Sequence, residues 1–140
     1  MTSRDHGVTS QDGAVTRVEF ILYVSDQARA RDFWAATLAA EPTLDVPGMT
    51  EFDLGGATLG LMPERGIESL FGESGLRVGA GQRCEVYLRR WDAAALVERA
   101  LGAGARQLAA IEPRDWGEDV GYLLDPDGHV LAVAVAPPRA

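Results

Sequence analysis

The feature that most constrains the fold of this sequence is a strand-like segment that occurs twice. The first copy covers residues 17–26 and the second covers residues 83–92. Their leading arginines, their closing aspartates and an internal pair of glutamates, Glu19 and Glu85, are all separated by the same number of residues. Two copies at a fixed offset indicate an internal duplication, and hence two equivalent structural modules in one chain.

Alternation within each copy separates two faces, because side chains of a strand point to opposite sides in turn. The face that we predict to join the core carries Val18, Phe20, Leu22 and Val24 in the first copy and Cys84, Val86 and Leu88 in the second. The opposite face carries Glu19 and Glu85 among arginine and tyrosine side chains. If the modules pack together, both glutamates are expected to point into one shared cavity.

Length and composition are typical of a globular protein. The 140 residues, 46% of them hydrophobic, suffice for one domain or for two small duplicated halves. A net charge of −8, without clusters of Lys and Arg, argues against nucleic acid and anionic membranes as partners. It is compatible with a cationic ligand and, as the simpler interpretation, with solubility alone.

Neither a membrane span nor a signal peptide is predicted. No segment has roughly 18 consecutive apolar residues, and residues 1–15 lack a basic and then apolar pattern. We therefore expect a cytoplasmic protein. The single cysteine, Cys84, has no partner for an internal disulfide, and its position on the core face predicts a small buried side chain.

Further periodicities extend the duplication along the chain. In each copy the closing aspartate is a predicted N-cap for a helix with an apolar stripe, over residues 27–39 and 93–103. Three short strands follow each helix, with turns indicated at residues 55–56 and 126–128. The predicted organisation is a disordered tail (1–15), a first β-α-β-β-β module (16–63), a linker (64–81) and a second β-α-β-β-β module (82–136).

Three motifs carry a resemblance to a known superfamily. They are Tyr23-Val24-Ser25-Asp26 before a helix with Phe33-Trp34, Gly-Leu-Met-Pro at 60–63, and Asp125-Pro126-Asp127-Gly128-His129 before the last strand. With the repeated element order, they resemble the vicinal oxygen chelate superfamily of glyoxalases, bleomycin resistance proteins and extradiol dioxygenases. The resemblance covers residues 16–136. It implies an α+β fold whose two modules form an incomplete barrel around a shared cup, and it identifies fold more than chemistry.

The resemblance also implies where a metal ion would be held. Metal-dependent members use one residue from the first and the last strand of each module, positions that here are Glu19, Gly60, Glu85 and Ala132. Glu19 and Glu85 are therefore metal-ligating candidates of an incomplete set, because glycine and alanine offer no donor atom. We do not expect a dioxygenase, since it needs two histidines and a carboxylate at the site, and the two histidines of this sequence, His6 and His129, fall in the predicted tail and in a predicted turn. We expect no cofactor, with a divalent metal ion as the alternative.

The two glutamates have other interpretations that remain open. They are candidate catalytic residues, acting as general acid or base if burial raises a pKa toward neutrality. They are equally candidate anchors for a cationic group, since two carboxylates in one cup repel unless a cation or a proton lies between them. The simplest alternative is that Arg17, Arg83 and Arg89 pair with them in ordinary ion pairs.

The other candidate ligand-binding residues are aromatic or long side chains around the predicted cup: Tyr23, Met62, Tyr87, Arg89 and Trp116. Small residues at positions 60 and 132 predict room for a bulky organic molecule. Metal-free resistance proteins of this superfamily bind flat, often cationic antibiotics in clefts shared by two subunits, which implies a homodimer.

Three functions are consistent with these observations. The first is a protein that binds a small organic molecule, cationic or aromatic, in a metal-poor cup. The second is an enzyme, either a divalent-metal lyase or isomerase of the glyoxalase type or a metal-free acid–base catalyst that uses Glu19 or Glu85. The third is a retained fold with an empty cup and a structural or partner-binding role.

Overall fold

A computed structural model of the chain describes residues 17–79 and 81–138. The predicted disordered tail, including His6, lies outside the described residues. The first module comprises β1 (Glu19–Val24), α1 (Gln27–Leu38), β2 (Leu44–Val46), β3 (Met49–Asp53) and β4 (Thr58–Pro63). Helix α2 (Glu64–Leu70) and a 3-10 turn (Gly72–Ser74) follow. The second module comprises β5 (Glu85–Arg90), α3 (Ala93–Gly102), β6 (Arg106–Pro113), β7 (Asp119–Leu124) and β8 (Val130–Val135).

Each module folds into a four-stranded mixed sheet with an equivalent strand order. The order is β1-β4-β3-β2 in the first sheet and β5-β8-β7-β6 in the second. The pairs β1–β4 and β5–β8 are parallel, whereas all other neighbours are antiparallel. The predicted α+β class with two repeated β-α-β-β-β modules is confirmed. The sheets are open, and β1 and β5 are edge strands.

One hydrophobic core contains side chains from both modules. The apolar stripe of α1 is buried, as predicted, and includes Phe33 and Trp34, whose rings meet edge to face at 5.3 Å. The helix begins where Asp26 accepts the backbone N–H of Arg29 at 3.0 Å, which is the predicted N-cap. Helix α3 packs against α1, and Arg99 donates to the Thr37 carbonyl near the end of α1 at 3.2 Å. The modules therefore share a core.

A turn in the second module also holds the first module. Asp125 Oδ1 accepts the backbone N–H groups two and four residues further along the chain, at 2.9 and 2.8 Å. Gly128 completes this turn at a φ of +89°, which glycine adopts without strain. Asp127 Oδ1 accepts the N–H and the hydroxyl of Ser25, each at 2.9 Å, and Arg29 at 3.0 Å. The turn therefore fastens the second module to the junction of β1 and α1.

Three predictions about burial are wrong. Val18 and Phe20, expected in the core, are 42% and 62% exposed, and Cys84, expected to be buried, is also exposed. Phe20 lies in the edge strand β1, Val18 directly precedes that strand, and Cys84 directly precedes the edge strand β5. Within residues 17–79 and 81–138, no further strand pairs with either edge.

The predicted N-cap of α3 is confirmed in position but not in its side-chain contact. Asp92 is the N-cap residue, and its carbonyl accepts the N–H of Leu96 at 2.8 Å. Its carboxylate makes no capping hydrogen bond and instead binds Arg90 and Arg99, each at 2.8 Å. The hydrogen bonds from these arginines lower the pKa of Asp92 to about 2. Among the described residues, every helix is too short or too polar to cross a lipid bilayer.

Candidate functional site

The candidate site is a cavity of about 430 Å³ lined by residues of both edge strands, β1 and β5, which we call the seam cavity. Apolar side chains, including Phe20, Ile21 and Leu22 of β1 and Val86 and Leu88 of β5, form much of its wall. Polar groups are supplied by Glu85, Tyr87, Arg89, Arg90 and His129. Its size falls within the range of roughly 300–1,000 Å³ that is usual for small-molecule sites.

One wall of the seam cavity continues into a hydrogen-bonded cluster around Glu118. The Tyr87 hydroxyl donates to Glu118 Oε1 at 2.5 Å, and Arg89 Nε donates to Oε2 at 2.7 Å. A longer contact of 3.3 Å joins Arg89 Nη2 to Oε1. The indole N–H of Trp116 donates to the Tyr87 hydroxyl at 3.0 Å. These four residues are called the Glu118 cluster below.

The charges in the Glu118 cluster are mutually stabilising. Hydrogen bonds from Arg89 and then from Tyr87 lower the pKa of Glu118, so this residue is a carboxylate at neutral pH. Burial and the hydrogen bond to Glu118 raise the pKa of Tyr87, so its phenol keeps the proton. The Arg89 guanidinium also lies 4.8 Å from the centre of the Tyr87 ring, in cation–π geometry. The charge of Arg89 is therefore balanced by a carboxylate and by an aromatic face.

The structure brings together three of the five predicted ligand-binding residues. Tyr87, Arg89 and Trp116 meet in the Glu118 cluster, and the first two also line the seam cavity. Tyr23 and Met62 lie on the other sheet, as register partners on β1 and β4, and neither is part of the cavity lining. Their role as ligand contacts stays a prediction.

Glu19 forms a carboxyl pair with Glu51, a residue of β3. Gly60 of β4 makes this pairing sterically feasible, because a Cβ atom at that position would collide with the Glu19 carboxylate. Burial, and then the hydrogen bond with Glu51 and repulsion from its charge, raise the pKa of Glu19, while Arg17 opposes the shift. Glu19 therefore keeps its proton to a higher pH than an isolated carboxyl group does.

Glu85, the second duplicated glutamate, lines the seam cavity, whereas Glu19 is not part of that lining. Within the described part of the chain, no hydrogen bond or ion pair holds the Glu85 side chain. Arg89, considered above as an ion-pair partner for the glutamates, binds Glu118 instead. The meeting of Glu19 and Glu85 in one cavity, and their catalytic role, stay predictions.

The donor set does not fit the four-ligand metal site of the superfamily. Across residues 17–79 and 81–138, no group of three or more His, Cys, Asp or Glu side chains is placed to hold a metal ion. Gly60 and Ala132 offer no donor atom, and the Glu19 carboxylate is engaged with Glu51. A divalent ion of this kind usually takes three or more protein ligands, so no metal-dependent step follows from these residues.

The prediction that positions 60 and 132 leave room for a ligand is wrong. The carboxylate of Glu19 occupies the space above Gly60. Ala132 is fully buried, with Tyr87 and Tyr122 packed against its cluster. The side chains of neighbouring strands fill the volume that the small residues leave, so the open space lies at the seam instead.

Sequence reasoning missed Glu118 and Glu51. Glu118 lies one residue before β7 and, by period-two alternation, shares a face with Val120 and Tyr122. Tyr122 is the register partner of Ala132, so alternation alone could have placed Glu118 on the face of Ala132. Glu51 lies between Thr50 and Phe52 and is the register partner of Gly60 on β3, a cross-strand pairing that the local sequence does not signal.

Comparison with known families agrees with this architecture. A family model described as a glyoxalase-like domain matches residues 19–134, from the start of β1 almost to the end of β8. The chain therefore belongs to the glyoxalase-like domain family, within the vicinal oxygen chelate superfamily. No curated protein matches the sequence closely enough to count as a relative.

Solved structures with a similar fold include proteins described as glyoxalase-related or as glyoxalase/bleomycin resistance/dioxygenase proteins. A glyoxalase-related enzyme from Fulvimarina pelagi is 22% identical, with a TM-score of 0.72 over 88% of this chain and 91% of that chain. A glyoxalase/bleomycin resistance protein/dioxygenase family enzyme from Burkholderia phytofirmans PsJN is 16% identical, with a TM-score of 0.74 over 85% and 97%. A glyoxalase/bleomycin resistance protein/dioxygenase from Nocardioides is 18% identical, with a TM-score of 0.65 over 93% and 92%. At these identities the likeness shows the fold.

Proposed function

We propose that the protein binds a small organic molecule, cationic or aromatic, in the seam cavity and without a metal ion. The observation that carries the proposal is the cavity itself, which has the volume of a small-molecule site and a mostly apolar lining. An apolar wall with a few fixed polar groups suits a flat organic molecule, because burial supplies affinity and the polar groups supply orientation.

The charges around the cavity support a cationic ligand. Both lining arginines are paired, Arg89 with Glu118 and Arg90 with Asp92, whereas Glu85 has no such partner among the described residues. The uncompensated charge in the lining is therefore negative. A cationic aromatic ligand would place its ammonium group beside Glu85 and its ring near the face of Tyr87. The ammonium group would then balance the negative charge of the lining.

A homodimer in the cytoplasm is part of the proposal. Along the edge strand β1, Phe20 and Ile21 are 62% and 38% exposed, and Val18, directly before the strand, is 42% exposed. Apolar side chains exposed along a sheet edge are typical of interaction surfaces. Sedimentation velocity at micromolar concentration tests the assembly, since a monomer at all concentrations would contradict it. Fractionation of the source cells tests the location.

Thermal shift against a panel of cationic and neutral aromatic compounds tests the binding function. A ligand at about 100 times its Kd should stabilise the protein by roughly 2.7 kcal/mol. Ala57→Phe, at a residue that lines the cavity, should abolish the shift by filling the space. Ala94→Phe, the same change at an exposed position of α3, is the control. The proposal fails if no compound stabilises the wild type or if both variants keep the response.

The metal-dependent lyase or isomerase is tested separately. Metal analysis of protein purified without chelator should find less than one divalent ion per chain, and Glu19→Gln and Glu85→Gln should leave that content unchanged. Stoichiometric metal that disappears with either substitution would favour the enzyme alternative instead.

A further inference from the structure

We propose that Glu118 sets the charge specificity of the seam cavity by neutralising Arg89, so that cationic aromatic molecules bind in preference to anionic ones. The inference rests on the proposed function and extends it, because it assigns the preference to a residue outside the cavity lining. Glu118 acts through Arg89 and is therefore a positioning residue.

The geometry of the ion pair supports this assignment. Glu118 uses both carboxylate oxygens on Arg89, at 2.7 and 3.3 Å, and one of them also accepts the Tyr87 hydroxyl at 2.5 Å. The Arg89 side chain is 60% exposed, whereas that of Glu118 is only 21% exposed. The carboxylate is thus the more buried member of the pair and lies outside the cavity lining, while Arg89 is part of the cavity wall.

Without the Glu118 charge, the preference of the same wall would shift toward anionic ligands. An unpaired guanidinium presents a planar fork of N–H donors, which matches the two oxygens of a carboxylate. Arg90 would not contribute, because Asp92 already holds it at 2.8 Å. One substitution should therefore expose a positive charge beside the negative charge of Glu85 and let aromatic carboxylates bind.

A pair of probes with the same ring and opposite charge tests the inference: 2-naphthylmethylammonium and 2-naphthoate. Isothermal titration should give tighter binding of the ammonium probe to the wild type. Glu118→Gln should shift the ratio of the two Kd values by about tenfold or more toward naphthoate, because one unit charge near the ligand is removed. Glu98→Gln, the same charge change at an exposed position of α3, should leave the ratio unchanged.

Two further variants separate positioning from general disruption. Glu118→Asp keeps the charge and should restore part of the wild-type ratio. In an Arg89→Gln background, Glu118→Gln should have no further effect on the ratio, since the charge that it would release is absent. This double variant also keeps the test decisive if Glu118→Gln alone folds poorly.

The outcomes distinguish this inference from the proposed function. An unchanged ratio in Glu118→Gln, or an equal change in Glu98→Gln, would overturn the role of Glu118 while the binding function stands. If neither probe binds any of the proteins, while the aromatic panel also fails, the binding function itself is lost and the inference with it.

Discussion

Asp127 is expected to fasten the two modules together, and its replacement by alanine should destabilise the protein by about 2 kcal/mol. Its Oδ1 atom accepts two hydrogen bonds from Ser25 and one from Arg29, at 2.9 to 3.0 Å. Hydrogen bonds to a charged group contribute roughly 1.5–3 kcal/mol each, but Ser25 is exposed, so water can replace part of this. The Arg29 side chain is 49% exposed, so the ion pair itself adds at most about 1 kcal/mol.

Thermal unfolding followed by circular dichroism measures this loss. With an unfolding entropy of about 2.1 cal/mol/K per residue, 2 kcal/mol corresponds to a decrease in Tm of about 7 °C for 140 residues. Asp127→Asn keeps the acceptor oxygen without its charge and should lose about half as much. Asp119→Ala removes an exposed carboxylate at the start of β7 and is the control. Equal Tm values for Asp127→Ala and Asp119→Ala would refute the reasoning.

Three further predictions concern acid stability and packing. Asp92→Asn should destabilise by about 1 kcal/mol at neutral pH, a reduced value because the side chain is 39% exposed. Since the pKa is lowered from 3.8 to about 2, this contribution is present above pH 3.8, and the urea midpoints of the two proteins should converge as the pH falls toward 2. Gly121→Ala should cost about 1–3 kcal/mol in urea unfolding, because its Cβ would lie 2.8 Å from an isoleucine side chain and 3.2 Å from backbone. Gly60→Ala should lower the free energy of unfolding by less than about 1 kcal/mol, since the atom nearest to the added Cβ is the movable end of the Glu19 side chain. Equal losses for Gly60→Ala and Gly121→Ala would contradict this. Leu96→Ala, in the core, should lower the free energy of unfolding by about 3 kcal/mol. Leu108→Ala, at a residue that is 46% exposed, should lower it by less than about 1 kcal/mol. The reverse order would contradict the assigned core.

Features that depend on neighbouring residues in the chain were predictable from the sequence. Asp26 caps α1, and the apolar stripe of α1, which includes Trp34, is buried, because capping and helical periodicity are local. The errors concern Val18, Phe20 and Cys84, whose exposure depends on whether another strand lies beside their own. Pairing joins residues far apart in the sequence, so alternation predicts which face a side chain takes but not where the sheet ends.

The same distinction applies to the candidate site. Tyr87 and Arg89 were identified because the duplication marks their face of β5. Glu118 was missed because its meeting with them depends on the order β5-β8-β7, which brings the start of β7 across the sheet to β5. Strand order is a long-range property, and only the neighbouring motif at Trp116 indicated that this loop lies near the site.

The two copies of the duplicated strand differ in chemistry because different residues lie across the sheet from them. In the first module the row that crosses β1, β4 and β3 is Ile21, Gly60 and Glu51, so Glu19 can reach over the glycine to a second carboxyl group. The equivalent row in the second module is Tyr87, Ala132 and Tyr122, so Tyr122 takes the place of the acid and Tyr87 that of Ile21. Glu85 therefore has no acidic neighbour in the equivalent position and remains available in the seam cavity. The duplication supplied equivalent glutamates, but the residues opposite them joined one to a second carboxyl group and left the other without an acidic neighbour in the wall of the seam cavity.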